Sequence, residues 1–321
     1  MSQGDVLALP PPTVTVVTGS TASGKSGLAL QLAQHWQGQG YQPVILCADS
    51  QQVIEGMAIG TAQPSVAEQA LVPHVGLGWA TPDQPFSVAD FVAKAHPCLC
   101  ELTANPQTPV LVVGGTGFYL QALFEPTVLP AVAPNPALRQ QLQAQAASQP
   151  AGWLHQQLTL ADPARASQLH PNDTFRVLRA LEIIAAQGGQ PVPTQTSPAL
   201  WPVTAPNVVS LALSPPSREW LWQRIEQRVD AMLAQGWLAE TEALVVRYGA
   251  EAHALQVAHG YPELVAVLQG RTSLPEARQR IIFNVRQYAR RQRIWLARRS
   301  QWMHTLPATA SVAEALAVVC G

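Results

Sequence analysis

Lys25 and Ser26 are the residues best placed to do chemistry, because they close the run Gly19-Ser20-Thr21-Ala22-Ser23-Gly24-Lys25-Ser26. This is the G-x-x-x-x-G-K-[ST] spacing of a phosphate loop. The glycines allow a tight turn in which several backbone N–H groups converge on one anion. The helix expected over Gly27–Trp36 adds the partial positive charge of its N-terminus, and the apolar run Val14–Val17 supplies the strand before the loop. Lys25 brings a point charge to the outer phosphates, and the Ser26 hydroxyl is the expected ligand for Mg²⁺. The loop identifies a polyphosphate or diphosphate ligand and leaves its fate open.

Two other strand ends carry candidate groups. Val44-Ile45-Leu46-Cys47-Ala48 ends at Asp49-Ser50-Gln51-Gln52, where an open α/β sheet presents its ligand face. Asp49 there reads equally as a catalytic carboxylate or as a turn or cap residue. Pro109–Val113 ends in Gly114-Gly115-Thr116-Gly117, which either brings backbone and hydroxyl close to a ligand or is a plain tight turn. A fourth candidate is a basic helix. Arg271–Arg299 holds nine of the seventeen arginines against one acidic residue, Glu276, in a chain of net charge −1. Arg286, Arg290 and Arg293 fall at i, i+4 and i+7 and share a face. With no acidic neighbours in sequence, that face is expected to meet phosphate or nucleic acid rather than form salt bridges.

These groups need a sheet to hold them. Thr13–Thr18, Val44–Ala48, Pro109–Val113 and Asn207–Leu213 read as buried strands, with a further strand over Trp302–Leu306. Ser87 and Asp90 form a capping box for a helix to about Leu102, and Asp173 caps Thr174–Ala186. Ser217–Arg247 is expected to be helical with a break near Gly236, and Ala252–Leu268 to be one helix. The expected fold is α/β, a P-loop NTPase-like parallel sheet flanked by helices with a small all-helical insertion. Residues 13–127 and 174–321 would form the core, and Gln/Ala/Leu-rich residues 128–173 the insertion. Residues 1–12 are expected to be a disordered leader and Gln187–Pro206 a loop. Hydrophobic residues make up 47% and charged residues 12%, an ordinary globular balance. No run of about 18 apolar residues appears, so no membrane span is expected. Cys47, Cys98, Cys100 and Cys320 lack zinc spacing and read as reduced thiols of a cytoplasmic protein.

Taken together, several stretches resemble the tRNA dimethylallyltransferases. They are Gly19–Ser26, Ala48–Val53 with Gly56–Pro64, Val113–Leu120, Leu169–Asp173, Arg179–Glu182, Arg228–Met232 and Arg286–Gln292, in the family order over about residues 13–303. The resemblance implies transfer of a dimethylallyl group from dimethylallyl diphosphate to the exocyclic amine of the adenosine 3′ of the anticodon. It implies Asp49 as general base, Thr116 beside it, Arg286 as a diphosphate clamp, and Mg²⁺ as cofactor. It also implies that the tRNA anticodon stem-loop is held by Asp49, Ser50, Gln51, Gln52, Thr116, Arg139, Arg176, Arg179, Arg290 and Arg293, and that the enzyme is a monomer. The chain departs from the family pattern at Ile54 and Glu55, Gln63 for lysine, Pro73-His74-Val75, Phe175, Val285 for threonine, and His259-Gly260-Tyr261-Pro262. The competing readings are an ATP-dependent small-molecule kinase, which would need an acidic residue for Mg²⁺ near a strand end, and a non-enzymatic RNA-binding module.

Overall fold

The computed structural model describes residues 10–127, 132, 135–191, 199, 205 and 207–320. Most of the expected leader, parts of the Pro-rich stretches around residue 130, and most of residues 192–206 lie outside them. Six strands form one sheet: β1 (Val14–Gly19), β2 (Val44–Cys47), β3 (His74–Val75), β4 (Val110–Gly114), β5 (Val208–Ser214) and β6 (His304–Pro307). Their order is β3-β2-β4-β1-β5-β6, and every pairing is parallel. The sheet is the expected α/β architecture, with β3 as an edge strand too short for a sequence pattern to announce.

Register explains the uninterrupted apolar runs. Val14 aligns with Val110 and Val208, so one face of the sheet is built across three strands. Val14, Val16, Val110 and Val112 pack into one core, while Val17, Leu111 and Val113 pack into the other. A strand covered on both sides has no polar face to show. The helix after β1, Lys25–Gly38, buries Leu32 and Trp36 in the second core together with Ala315 and Val319 of the last helix, Val312–Val319. The basic helix, Leu274–Ala297, lies over the first core through Ile281 and Ile282. Its start is fixed by a capping box between Ser273 and Glu276. The break expected near Gly236 is there, with φ of 101° separating helices Arg218–Ala234 and Trp237–Tyr248. A second break was not foreseen: Gly260, with φ of 92°, divides His253–Val257 from Tyr261–Leu268. Among the described residues no helix is long and apolar enough to cross a membrane.

Contacts divide the chain into Met1–Glu125 with Ala199–Gly321, and a second unit, Pro126–Pro198. The second unit therefore ends later than the boundary expected at residue 173. Helix Thr174–Ala186 belongs to it because Val177, Ala180, Ile183 and Ile184 form a stripe packed against Leu158 and Ala166. Its polar centre is Glu182, whose side chain is 0% exposed. Arg139 Nε and Nη2 reach its two oxygens at 2.7 and 3.1 Å, and Arg179 Nη1 reaches it at 3.1 Å. Arg179 also donates to the Val132 carbonyl. Arg139 and Arg179, expected on the nucleic acid, are instead committed to a buried carboxylate. A buried charge that loses its partners is costly, so replacing both Arg139 and Arg179 by Ala is expected to remove about 3–5 kcal/mol of stability in urea unfolding. A loss below about 1 kcal/mol would show that the pairs are ornamental.

Candidate active site

Residues beyond the carboxyl ends of β1 and β2 line one cavity, whereas Thr116, beyond β4, is not part of its lining. Beyond β1, the loop turns through Ala22, a non-glycine at φ 61°, and Gly24, at φ 92°, before the helix begins at Lys25. The first N–H groups of that helix have no intrahelical partner, which is the arrangement an anion cradle requires. Lys25 is 9% exposed. Burial lowers its ammonium to about 8; Asp49 opposes that shift and Arg228 adds to it. The Ser20 and Ser23 hydroxyls are buried without a hydrogen-bond partner. Ser26 stands exposed at the loop's mouth. Thr21 departs from expectation, since its N–H donates to Gln292 Oε1 at 2.7 Å and not into the cradle.

Asp49 sits across from Lys25. Its Oδ1 accepts from the Gln51 N–H at 3.0 Å, which is the turn reading, and the residue also lines the cavity. Ser50 N–H donates to Thr116 Oγ1 at 2.9 Å, and that hydroxyl donates to Ser50 Oγ at 3.2 Å. Asp49 and Thr116 are thus held side by side from β2 and β4. The glycines around Thr116 serve packing within the chain. A Cβ on Gly114 would lie 2.0 Å from the Ala48 carbonyl oxygen, and one on Gly117 would lie 2.5 Å from the Trp295 ring. Gln51 and Gln52 both line the cavity, and the Gln52 amide is tied to the Thr61 and Ala62 carbonyls at 3.2 and 2.9 Å.

The cavity has a volume of about 60 Å³ and lies within a depression of about 660 Å³ that includes open solvent. Lys25, Ser26, Asp49 and Arg228 give the lining its charged and polar groups; Ile225, Val229, Met232, Trp237 and Val285 give it its apolar surface. Tyr288 and His259 close it, with ring centroids 4.4 Å apart. Burial, reinforced by Asp49, holds the Tyr288 phenol above its usual value, and burial holds His259 below its own. A shallower polar opening beside the loop is lined by Gly24, Lys25, Ser26, Arg224 and Arg228. Arg224 Nε donates to the Ala22 carbonyl at 2.9 Å. Sequence reasoning assigned no role to Arg224 and Arg228, although their i, i+4 spacing puts two cations on one helix face.

The basic helix divides its arginines. Arg286, expected as the diphosphate clamp, stacks over Trp222 at 4.9 Å and pairs with Glu226 at 3.4 Å. It is absent from the cavity wall, which its neighbours Val285 and Tyr288 reach. Arg278 pairs with Glu226 and Asp230, and Arg299 with Glu125. Acidic partners distant in sequence thus neutralise part of a block that looked unpaired. Arg290 and Arg293 form no ion pair among the described residues and line a groove with Ser214 and Pro215 beyond β5. Arg176 remains exposed on the second unit, 3.3 Å from Asp173. The departures also find places. Gln63 donates to the Gln52 and Ile54 carbonyls, Ile54 is buried, Val285 adds to the apolar lining, and Phe175 is exposed. At β4 the strand ends in glycine, where a kinase of this kind would place its acidic metal ligand.

Comparison with known proteins gives one answer. A family model described as IPP transferase matches residues 52–300. A tRNA dimethylallyltransferase of Rippkaea orientalis is 40% identical, covering 89% of this chain and 91% of its own. One from a Synechococcus species is 40% identical, covering 95% of this chain and 98% of its own. The crystal structure of a tRNA isopentenylpyrophosphate transferase from Bacillus halodurans aligns with a TM-score of 0.65 at 31% identity, over 95% of this chain and 93% of that one. A eukaryotic dimethylallyltransferase captured acting on tRNA aligns at 0.73 and 28% identity, over 92% of this chain and 74% of that one.

Lys25 holds its proton below about pH 8 in the free protein, and a bound anion must raise that value. Affinity for inorganic diphosphate is therefore full below pH 8 and declines above it, by up to about tenfold per pH unit. Calorimetric titration of the wild type against Lys25→Arg, which keeps its charge, isolates this term. Identical pH profiles for the two proteins would contradict a buried, depressed ammonium.

Proposed function

Because the chain belongs to the IPP transferase family, we propose that it transfers a dimethylallyl group from dimethylallyl diphosphate to the exocyclic amine of the adenosine 3′ of the anticodon in tRNA. The observation that carries this reading is the mixed lining of the cavity. Lys25, Ser26, Asp49 and Arg228 line it together with the apolar Val229, Met232 and Trp237. A diphosphate bearing a five-carbon hydrocarbon matches both kinds of surface, because the charged end gains hydrogen bonds while the prenyl end leaves water.

Each group then has a task. The helix N-terminus, Lys25 and Arg228 hold the diphosphate and stabilise the charge that develops as it leaves. Arg228 takes the clamp role that sequence comparison placed on Arg286. The exocyclic amine is a poor nucleophile whose lone pair is delocalised into the purine, so the base must leave its stack and meet the prenyl carbon in line. Asp49 accepts the amine proton as the new C–N bond forms, and the Thr116 hydroxyl fixes the Ser50 backbone beside it. Among the described residues no three His, Cys, Asp or Glu side chains gather to hold a metal. The donor set fits Mg²⁺ bound chiefly by substrate oxygens and water, with Ser26 as the protein's ligand. Such an ion would neutralise charge on the leaving diphosphate. Arg290 and Arg293, without an ion pair among the described residues, are available to RNA phosphates; exposed Arg176 would have to share its charge with Asp173.

Incubation with unmodified tRNA, dimethylallyl diphosphate and Mg²⁺ is expected to yield isopentenyladenosine in the nuclease digest; no product at saturating substrates would overturn the reading. Asp49→Asn is expected to lower turnover about 10²–10⁴-fold while diphosphate affinity changes only a few-fold. Replacing Arg290 and Arg293 by Ala should weaken tRNA binding and reduce the slope of log K against log salt by about one to two. An unchanged slope would place those arginines off the RNA.

A further inference from the structure

Gln292 is a buried polar side chain of the basic helix, only 6% exposed, and it faces the sheet rather than solvent. Its Oε1 accepts the Thr21 N–H at 2.7 Å. Its Nε2 donates to the Gly115 carbonyl at 2.9 Å. The two partners fix which end of the amide is oxygen and which is nitrogen, since one offers a hydrogen and the other a lone pair. They also belong to different machinery. Thr21 lies in the loop that cradles the anion, and Gly115 directly precedes Thr116, whose hydroxyl is bonded to Ser50 beside Asp49.

We infer that Gln292 is a positioning residue: a single buried amide that sets the spacing between the phosphate loop and the Asp49–Thr116 pair. The inference rests on the transferase reading above. Transfer between two bound substrates needs both reaction partners held to within a fraction of an ångström, and a misplacement of about 1 Å can cost about 100-fold in rate. The loop positions the leaving group and the Asp49 side positions the nucleophile. Strand pairing links β1 to β4 and β4 to β2, yet the functional loops beyond the strand ends have no ladder between them. Gln292 supplies the missing tie from outside the sheet. Only an amide satisfies both partners: glutamate has no hydrogen for the Gly115 carbonyl, and methionine fills the space but bonds to neither. The approach is close enough to dictate the neighbour, because a Cβ on Gly115 would lie 2.4 Å from Gln292 Nε2. This explains the second glycine of the Gly-Gly-Thr-Gly segment without invoking a ligand.

The test compares Gln292→Met, Gln292→Glu and Gly115→Ala, the last disturbing the same contact from its other end. Single-turnover prenyl transfer is expected to fall about 10–100-fold in each. Affinity for inorganic diphosphate and for unmodified tRNA, measured separately, should stay within about threefold. In a Thr116→Ala background, Gln292→Met should cost little more, because both act on the same pair. Transfer rates within twofold of wild type would overturn the inference, as would fully additive losses or a parallel loss of affinity and thermal stability with the rate of the bound complex intact. An inactive wild type would instead remove the transferase reading itself, so the two failures are distinguishable.

Discussion

A buried ammonium governs this molecule. Lys25 loses most of its hydration, and the nearest opposing charge, Asp49, is balanced by a second cation at Arg228. Two cations facing one carboxylate leave the site short of negative charge. A buried amine in that position is stabilised by an anion and penalised without one. The positions of β1, β2 and the helix Arg218–Ala234 follow from that need, since each delivers one of the three charges to the same opening.

The apolar lining of the cavity depends on a different constraint, the seating of Trp237. Its fully buried indole packs where Gly60 and Gly260 have no side chains; a Cβ at either would lie 2.0 or 2.1 Å from it. Glu240, one turn further along, accepts the N–H groups of Ile59 and Gly60 at 2.7 and 3.0 Å and the Tyr261 hydroxyl at 2.7 Å. The loop after β2 is therefore pinned to the helix that carries Trp237. A carboxylate that serves three donors fixes the backbone against which the Trp237 ring packs.

How much of this could be read in advance depended on whether the signal was local. The phosphate loop, the strand runs, the Ser87 and Asp173 caps and the Gly236 break are written in short spacings, and all appear in the structure. Asp49 and Thr116 were found as strand-end residues, and a parallel sheet brings its strand ends together. The arginines were less legible, because a charge count cannot see partners far away in sequence. Glu226 captures Arg286, Glu182 captures Arg139, and Glu125 captures Arg299. Gln292 and Trp237 were invisible as functional groups, because their partners are backbone atoms and missing side chains on other elements. The late end of the second unit was hidden for a related reason: a capped helix start at Asp173 says where a helix begins, not which core its apolar stripe joins.

The central claim is that the loop, Arg228 and the apolar lining together hold a prenyl diphosphate beside Asp49. A crystal structure with a non-hydrolysable dimethylallyl thiodiphosphate tests it most directly. The account predicts phosphate oxygens on the Gly24–Ser26 N–H groups, Lys25 and Arg228, with the hydrocarbon against Val229, Met232 and Trp237. Phosphates held at Arg286 and Arg278 instead, or a hydrocarbon lying in solvent, would contradict it.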